Sequence, residues 1–385
     1  MRIKRNISNA ILGTLSKYPV IGLTGPRQSG KTTLLKTLLQ DYSYVSLENP
    51  DNRDFALSDP NGFLKRYSTK VIIDEAQRAP ALFSYIQSIV DDSGIMGQFI
   101  LSGSQNFHLM QEITQSLAGR VAIFKLFPFD FQEMQESNIL NEDYIVNLIN
   151  GFYPALYDRG IKPQSYYSNY FQTYLQRDVS ELIEVKNQSV FKKFLRIIAT
   201  RAGQILNMNS IANECGISQP TVKSWLSALE SSYIIFTLSP YYENFGKRLI
   251  KSPKLYFYDT GLLCYLLRIK EAQEIYNQPI KGSLFENMII AEHAKRIYHM
   301  GEEDDYWFWR DSNGNEIDLL YYKSGMLYVT EIKANQTVMS NQFKGLEYFE
   351  RNAKGKKLIK QLVYAGEENQ DRNIGKVISW KDFGK

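Results

Sequence analysis

Apolar positions change period several times along the chain. Over residues 20–24, 44–47, 71–74, 99–102 and 121–126 they form short β-branched runs that read as buried strands. Over 32–40 and 81–90, between such runs, they recur every three or four residues, as on one face of a helix. Strands alternating with helices predict a parallel sheet with helices on its faces. The strand signal ends at residue 138, and 166–184 reads as a helix. A compact helical block over 191–230 follows, then two short strands at 233–239 and 254–258. Residues 270–282 are polar and uneven and read as a linker. A helix at 283–298 opens the last unit, which continues as strand, turn and strand. The pattern divides the chain into an α/β core (1–137), a helical connector (138–186), a helical block with two strands (187–269) and an α/β unit (281–385).

Composition narrows this picture only a little. Among 385 residues, 44% are hydrophobic and 22% charged, which excludes wholesale disorder. Lys+Arg 45 against Asp+Glu 41 leaves a formal charge of +4, too small to point by itself to a nucleic-acid partner. The two cysteines, Cys215 and Cys264, have no metal or disulfide spacing and read as core residues of a cytoplasmic protein. No apolar run reaches the ~20 residues of a membrane helix, and the N-terminus lacks a signal core. His108, His293 and His299 have no mutual metal spacing.

The strongest chemical signal is Gly25-Pro26-Arg27-Gln28-Ser29-Gly30-Lys31-Thr32-Thr33, which fits GxxxxGK[ST] between a strand and a helix. Glycines let backbone N–H groups turn inward around phosphate oxygens at a helix N-terminus. Lys31 is placed to reach the β- and γ-phosphates of ATP, and Thr32 to ligate Mg²⁺. A glycine-rich turn that merely caps a helix is the bland alternative. Further on, the apolar strand Val71-Ile72-Ile73 ends in Asp74-Glu75. Asp74 suits the metal's water shell and Glu75 the activation of water, although solvated acids at a strand end look the same. The strand at 99–102 leads to Ser104, a hydroxyl for the γ-phosphate. Arg120 stands just ahead of another strand. It fits either transition-state charge neutralisation, within the chain or across a subunit boundary, or an ordinary ion pair.

These segments, GPRQSGKTT, VIIDEAQRAP, LSGSQNF and SLAGRV, resemble the AAA-type ATPases of bacteria and archaea that carry an uncharacterised C-terminal domain. The resemblance continues through Gly151-Phe152-Tyr153-Pro154 and Tyr174-Leu175-Gln176-Arg177-Asp178 and covers most of the chain. It implies an AAA+ fold with its P-loop, Asp-Glu, polar-sensor and arginine elements at the positions named above.

Residues 211–226 follow a helix–turn–helix grammar: Ile211, Ala212 and Cys215 on one face, Gly216 at the turn, and Ser218 as cap with Pro220 in the first turn. With the two strands after it, the block reads as a winged helix. Its outward face carries Gln219, Thr221, Lys223, Ser224 and Ser227, which suit a major groove, while the cations gather at Lys247, Arg248, Lys251 and Lys254. Such modules serve equally in packing or dimerisation.

In the last unit, Ser324-Gly325 reads as a two-residue hairpin turn. Pairing about it sets Asp318 opposite Glu331, and two carboxylates face to face repel unless a divalent ion lies between them. Lys333, two residues on, shares a face with Glu331. The D…ExK arrangement resembles the PD-(D/E)xK nuclease superfamily, which implies Glu286 as the upstream acid, Asp318 and Glu331 as Mg²⁺ ligands and Lys333 at the attacking water. The same register also sets Glu316 opposite Lys333, a plain cross-strand ion pair. Trp307, Phe308, Trp309 and Arg310 suit either base stacking or the core of the sheet. The expectation is an ATP- and Mg²⁺-dependent ATPase coupled to a DNA-binding, nuclease-like region, with homo-oligomerisation in view. The alternative is an ATP-dependent regulatory switch whose C-terminal unit is not catalytic.

Overall fold

The protein was analysed as a computed structural model, which describes residues 3–104, 113, 115–179, 183, 185, 187–241, 251–302, 305–353 and 355–384; the side chains of 176–178 lie outside the description. Strands β1 (Val20–Thr24), β2 (Ser43–Ser46), β3 (Val71–Asp74), β4 (Phe99–Ser102) and β5 (Val121–Lys125) form one sheet in the order β2-β3-β4-β1-β5. Every pairing in it is parallel. Alternate residues feed different cores. Val20, Val71, Ile73, Phe99 and Leu101 pack into one cluster, and Ile21, Leu23, Ile72 and Ile100 into the other. A sheet covered on both faces explains why β1, β3 and β4 read as unbroken apolar runs. The covering helices include α1 (Ile7–Thr14), α2 (Lys31–Leu38), α3 (Pro50–Ser58), α4 (Pro60–Arg66) and α5 (Ala81–Ser93).

The middle of the chain is helical. It comprises α6 (Phe131–Glu136), α7 (Tyr144–Asn150), α8 (Pro154–Arg159) and α9 (Pro163–Tyr170), the last running into a π-helical stretch, Phe171–Val179. The single helix expected at 166–184 is thus two helical forms in series, and 180–182, 184 and 186 fall outside the described residues. Tyrosines make this region a core: Tyr153 lies 5.0 Å from Tyr170 and 5.6 Å from Tyr166, centroid to centroid. Next come α10 (Gln188–Thr200), α11 (Met208–Cys215) and α12 (Gln219–Ser231). Gly216 ends α11 in the left-handed region, and the Ser218 side chain accepts from Thr221 N to cap α12. The antiparallel pair β6 (Ile235–Leu238) and β7 (Lys254–Phe257) follows, then α13 (Thr260–Leu266) and α14 (Gln273–Tyr276).

The expected linker at 270–282 is not one. It holds α14, and the long helix α15 (Ile280–Met300) starts three residues before the expected 283, so the boundary drawn at 281 falls inside a helix. Buried Ile275 and Leu284 anchor this stretch, too few apolar residues to make a period. The final sheet contains β8 (Tyr306–Arg310), β9 (Glu316–Lys323), β10 (Met326–Lys333), β11 (Leu358–Tyr364), β12 (Gln370–Arg372) and β13 (Gly375–Ser379), in the order β12-β13-β11-β10-β9-β8. Helix α16 (Lys344–Asn352) connects β10 to its parallel neighbour β11. The turn between β9 and β10 is tight: Ser324 (φ 52) and Gly325 (φ 74) are both left-handed, as a type I′ hairpin requires. Residues Met326 to Thr330 pair with Lys323 to Leu319 in the expected register.

Helix α15 is buried along most of its length, and its apolar residues belong to one cluster that runs from Phe127 to Phe383. It therefore packs on the first unit, the helical middle and the last sheet together.

Candidate functional site

A parallel sheet sends all its C-terminal strand ends to one edge, and there the chain places its phosphate loop, Asp74-Glu75 and Ser104. Gly25 (φ 146) permits the loop to pass Leu126, because a Cβ there would sit 2.1 Å from the Leu126 carbonyl oxygen. Pro26 and Gln28 continue the turn, and Gly30 (φ 96) caps α2. Lys31 Nζ donates to the Gly25 and Pro26 carbonyls, each at 2.9 Å. Burial lowers its pKa to about 8, with nearby Arg27 adding and Glu75 and Asp74 opposing. Among the described residues, the buried Ser29 hydroxyl has no hydrogen-bond partner, an orphan in a loop otherwise shaped for anions. Thr32 Oγ1 donates to Asp74 Oδ2 at 2.8 Å. Tyr44 at 2.8 Å, Ser102 at 2.5 Å and Glu75 N at 3.2 Å also donate to Asp74. Glu75 adopts φ 55, and its Oε2 accepts from Gln77 at 2.5 Å and Ser104 Oγ at 3.2 Å. A cavity of about 840 Å³ opens over Gly30, Lys31, Thr32, Thr33, Glu75 and Ser104, walled opposite by Arg5, Phe129, Pro154 and Arg159.

Arg120 is elsewhere. It precedes β5, and a residue ahead of a parallel strand lies at the sheet edge opposite the phosphate loop. Its backbone carbonyl accepts from Val20 N at the start of β1. Its guanidinium grips Asp91 of α5 through two hydrogen bonds, at 2.5 and 2.8 Å. Within one chain it forms this ion pair, one of the readings its position allowed, and lies away from the phosphate loop of its own chain.

Three further contributors received no role from the sequence motifs. Tyr44 and Ser102 hold Asp74 from the two strands flanking β3, a consequence of strand order that local sequence does not display. Arg5, 6% exposed, reaches Ser29 O at 3.0 Å, Phe127 O at 2.6 Å and Glu133 Oε1 at 2.9 Å. It joins the phosphate loop to the turn 127–133. From the other side, α15 holds the same turn. His299 Nε2 accepts from Phe127 N, Lys295 Nζ donates to Phe129 O, and Glu292 accepts from Phe131 N. The Phe127 N–H needs a lone pair on Nε2, which leaves the His299 ring proton on Nδ1, 2.7 Å from Asp130 Oδ2. Burial works against the charge of Asp130, but the hydrogen bonds from His299 and Glu133 N, with the nearby positive charges, together outweigh it and hold the carboxyl below its usual range. His299, which spacing left without a role, is thus a buried contact between units. Asp130, Glu133 and His299 could together surround a metal ion. However, Arg5 and Asn6 already donate to the two carboxylates, and Asp130 and Glu133 also form the capping box of α6.

The second gathering of charge lies in the last unit. Glu331 and Asp318 adjoin across β10 and β9 just beyond the paired ladder. Lys333 Nζ is 2.5 Å from Glu331 Oε2 and 3.5 Å from Asp318 Oδ2. Burial first, and the Asp318 charge second, push the Glu331 pKa above the carboxylate range. Asp318 also accepts from Ile332 N at 2.8 Å. Gly345 leaves room for Glu331, since a Cβ there would sit 2.1 Å from Oε1. Glu316 does not pair with Lys333; it pairs with Arg310 and with Lys254.

Lys254 itself overturns an expectation. The sequence places it among the wing cations, yet it is 2% exposed and its Nζ lies 2.9 Å from Glu286 Oε1. Tyr256, two residues on and on the same face of β7, donates to the same oxygen at 2.6 Å. Lys247 and Arg248 lie outside the described residues. Lys223 and Lys251 are exposed, and Lys193 and Arg196, also exposed, line a groove of α10 with half-buried Lys192. Among the described residues, none of the three groove cations has an ion-pair partner. Phe308 and Trp309 are core, as one of the two readings had it, and Cys215 and Cys264 are buried and free. Among the described residues, no helix is long and apolar enough to cross a membrane.

Residues 17–135 match the family described as "AAA domain", and residues 141–273 and 281–383 match two domains of unknown function, DUF8612 and DUF4143. An uncharacterized protein of Mycobacterium tuberculosis is 29% identical over 337 residues, covering 87% of this chain and 74% of its own. One of Haemophilus influenzae is 22% identical over 298 residues, covering 73% and 70%. Among solved structures, a Walker-type ATPase of Pyrococcus abyssi aligns with a TM-score of 0.45 at 15% identity, covering 68% of this chain and 94% of that one. The family match over 17–135 spans the whole parallel sheet with its phosphate loop: the chain carries an AAA-type P-loop ATPase domain.

Proposed function

We propose that the protein is a Mg²⁺-dependent ATPase whose nucleotide cycle acts on a nucleic-acid-binding, nuclease-like C-terminal region. The observation that carries the first half is the contact of Thr32 Oγ1 with Asp74 Oδ2, beside Glu75 and Ser104, at one mouth of the cavity. Thr32 and Asp74 would hold the magnesium ion and its water shell. The ion supplies charge neutralisation at the phosphates. Gly25 to Thr33 wrap the phosphates, Lys31 leaves its loop carbonyls for phosphate oxygens, Glu75 takes the proton of the attacking water, and Ser104 orients Glu75. Arg120 reaches a γ-phosphate only if that phosphate belongs to a neighbouring copy.

The second half rests on α15. The helix touches the turn 127–133, which Arg5 ties to Ser29, and it carries Glu286 thirteen residues before His299, about 20 Å away along the helix axis. A shift of the phosphate loop is thereby transmitted to the acidic site without a flexible linker. In that site Asp318 and Glu331 fit a divalent ion, being adjacent buried carboxylates with Lys333 beside them to orient water. Block α10–α12 with β6 and β7 is read as a winged helix, and the Lys192, Lys193 and Arg196 face of α10 is its best phosphate-backbone contact. The decisive test is ATP turnover with and without duplex and single-stranded DNA and RNA. The reading expects stimulation by nucleic acid that weakens with salt and is lost when these three cations are neutralised together; no stimulation by any form would contradict it. The regulatory alternative, with a non-catalytic C-terminal unit, draws support from the pairing of Glu286 with Lys254 and Tyr256.

A further inference from the structure

We propose that Lys254 is the resident cation of the C-terminal acidic site, delivered by β7 from the preceding unit, and that it keeps Glu286 out of metal coordination. A divalent ion is then restricted to the Asp318–Glu331 pair while the Lys254 ammonium stays on Glu286. The inference rests on the reading of Asp318 and Glu331 as a metal pair and adds what controls access to the remaining acids.

Four carboxylates converge here from three elements: Glu286 on α15, Glu316 and Asp318 on β9, and Glu331 on β10. The positive side chains divide between them. Lys333 serves Glu331 and Asp318. Lys254 serves Glu286 and Glu316, with Arg310 adding to Glu316. Lys254 is no loose surface amine. Its side chain is 3% exposed, and its ammonium lies 5.5 Å from the centre of the Phe308 ring. Glu286 Oε1 is filled twice, by the Lys254 amine and the Tyr256 hydroxyl. A divalent ion bridging Glu286 and Asp318 would lie against this buried ammonium, where water screens repulsion poorly. Lysine and metal therefore compete for Glu286. The lysine rides on β7, which pairs with β6 in a two-stranded sheet, gains a bridge at Ile205 and is tied to α15 by Asn287, whose side chain accepts from Phe257 N and donates to Phe257 O. Just past its far end, Tyr258 stacks on Phe127 at 4.2 Å, in the turn that Arg5 ties to the phosphate loop. Lys254 thus stands between the nucleotide edge and the acidic site.

The test is Mn²⁺ binding by the full chain without nucleotide, in an Asp74→Asn background that disables the metal position at the nucleotide edge. Lys254→Met is expected to bind Mn²⁺ at least about tenfold more tightly than that parent. Mn²⁺ should also raise its melting temperature more than the parent's. Lys254→Arg should behave as the parent, and adding Glu286→Gln to Lys254→Met should take the gain away. If Lys254→Met does not fold, Lys254→Gln, which keeps a donor for Glu286 but no charge, carries the same expectation. Equal affinity in parent and charge-removed variants, with parent binding still abolished by Asp318→Asn, would overturn the role of Lys254 and leave the metal pair standing. Absence of Mn²⁺ binding in every variant would overturn both.

Discussion

At the nucleotide edge, Lys31 donates to two carbonyls of its own loop and, among the described residues, has no carboxylate within ion-pair distance. In the C-terminal site, Lys254 and Lys333 are each held by two carboxylates. The first arrangement leaves an ammonium ready to exchange weak acceptors for phosphate oxygens, under an open cavity. The second satisfies its charges internally, so a ligand must displace something to enter. The contrast separates a site waiting for its ligand from one that is regulated or structural, and it places the regulation on whichever element carries the internal cation.

Removing the waiting cation should have the largest effect. Lys31→Ala is expected to weaken ATP binding by about a hundredfold, the scale of a charged hydrogen-bonding group lost from phosphate. Calorimetric titration measures this, and unchanged affinity would erase the contrast. Arg5→Ala comes next. It strips partners from Ser29, Phe127 and buried Glu133, and should cost about 3–5 kcal/mol of stability, as when one member of a buried pair is removed. Denaturant unfolding reads it, and a loss under about 1 kcal/mol would show that the tie to the turn 127–133 is dispensable.

Proton linkage sharpens the comparison. The folded-state pKa of Lys31, lowered to about 8 by burial, means that its ammonium is disfavoured in the free protein. Stability of the nucleotide-free chain should therefore rise between pH 8 and the unfolded value of 10.5. Bound phosphate favours the charged form, so nucleotide binding should take up a proton above pH 8, and affinity should fall by about tenfold per pH unit. Titrations in buffers of different ionisation enthalpy check the uptake; flat affinity from pH 7 to 9.5 would contradict it. The smallest effect concerns Arg120. Mixing Arg120→Ala with Lys31→Ala chains should restore a fraction of turnover at mixed boundaries, and none at any ratio would leave Arg120 as the partner of Asp91 alone.

How much of this was legible depended on how local each feature is. The phosphate loop is contiguous, and its glycines and threonine state their geometry outright. The hairpin at Ser324-Gly325 was equally readable, because a two-residue turn sets the register of both strands and brings Asp318 to Glu331. Arg120 stayed open between readings because proximity in sequence to a strand does not tell which edge of the sheet a residue occupies; ahead of a parallel strand, it lies at the edge opposite the phosphate loop. Lys254 and Arg5 were beyond reach for another reason. Their partners lie 32 and 128 residues away, and a lone basic residue in a polar stretch looks the same whether it meets solvent or a buried acid. The start of α15 was hidden because Lys281, Gly282 and Ser283 break the apolar pattern between Ile280 and Leu284.

The account stands most directly on Glu75, held toward the cavity by φ 55 and in contact with Ser104 and Gln77. The measurement is ATP affinity and steady-state ATP turnover, with Mg²⁺, for the wild type and Glu75→Gln. The account predicts nucleotide affinity within about threefold of wild type and turnover reduced by about a hundredfold or more, the contribution of a positioned general base. Turnover that survives Glu75→Gln undiminished, with binding intact, would contradict it.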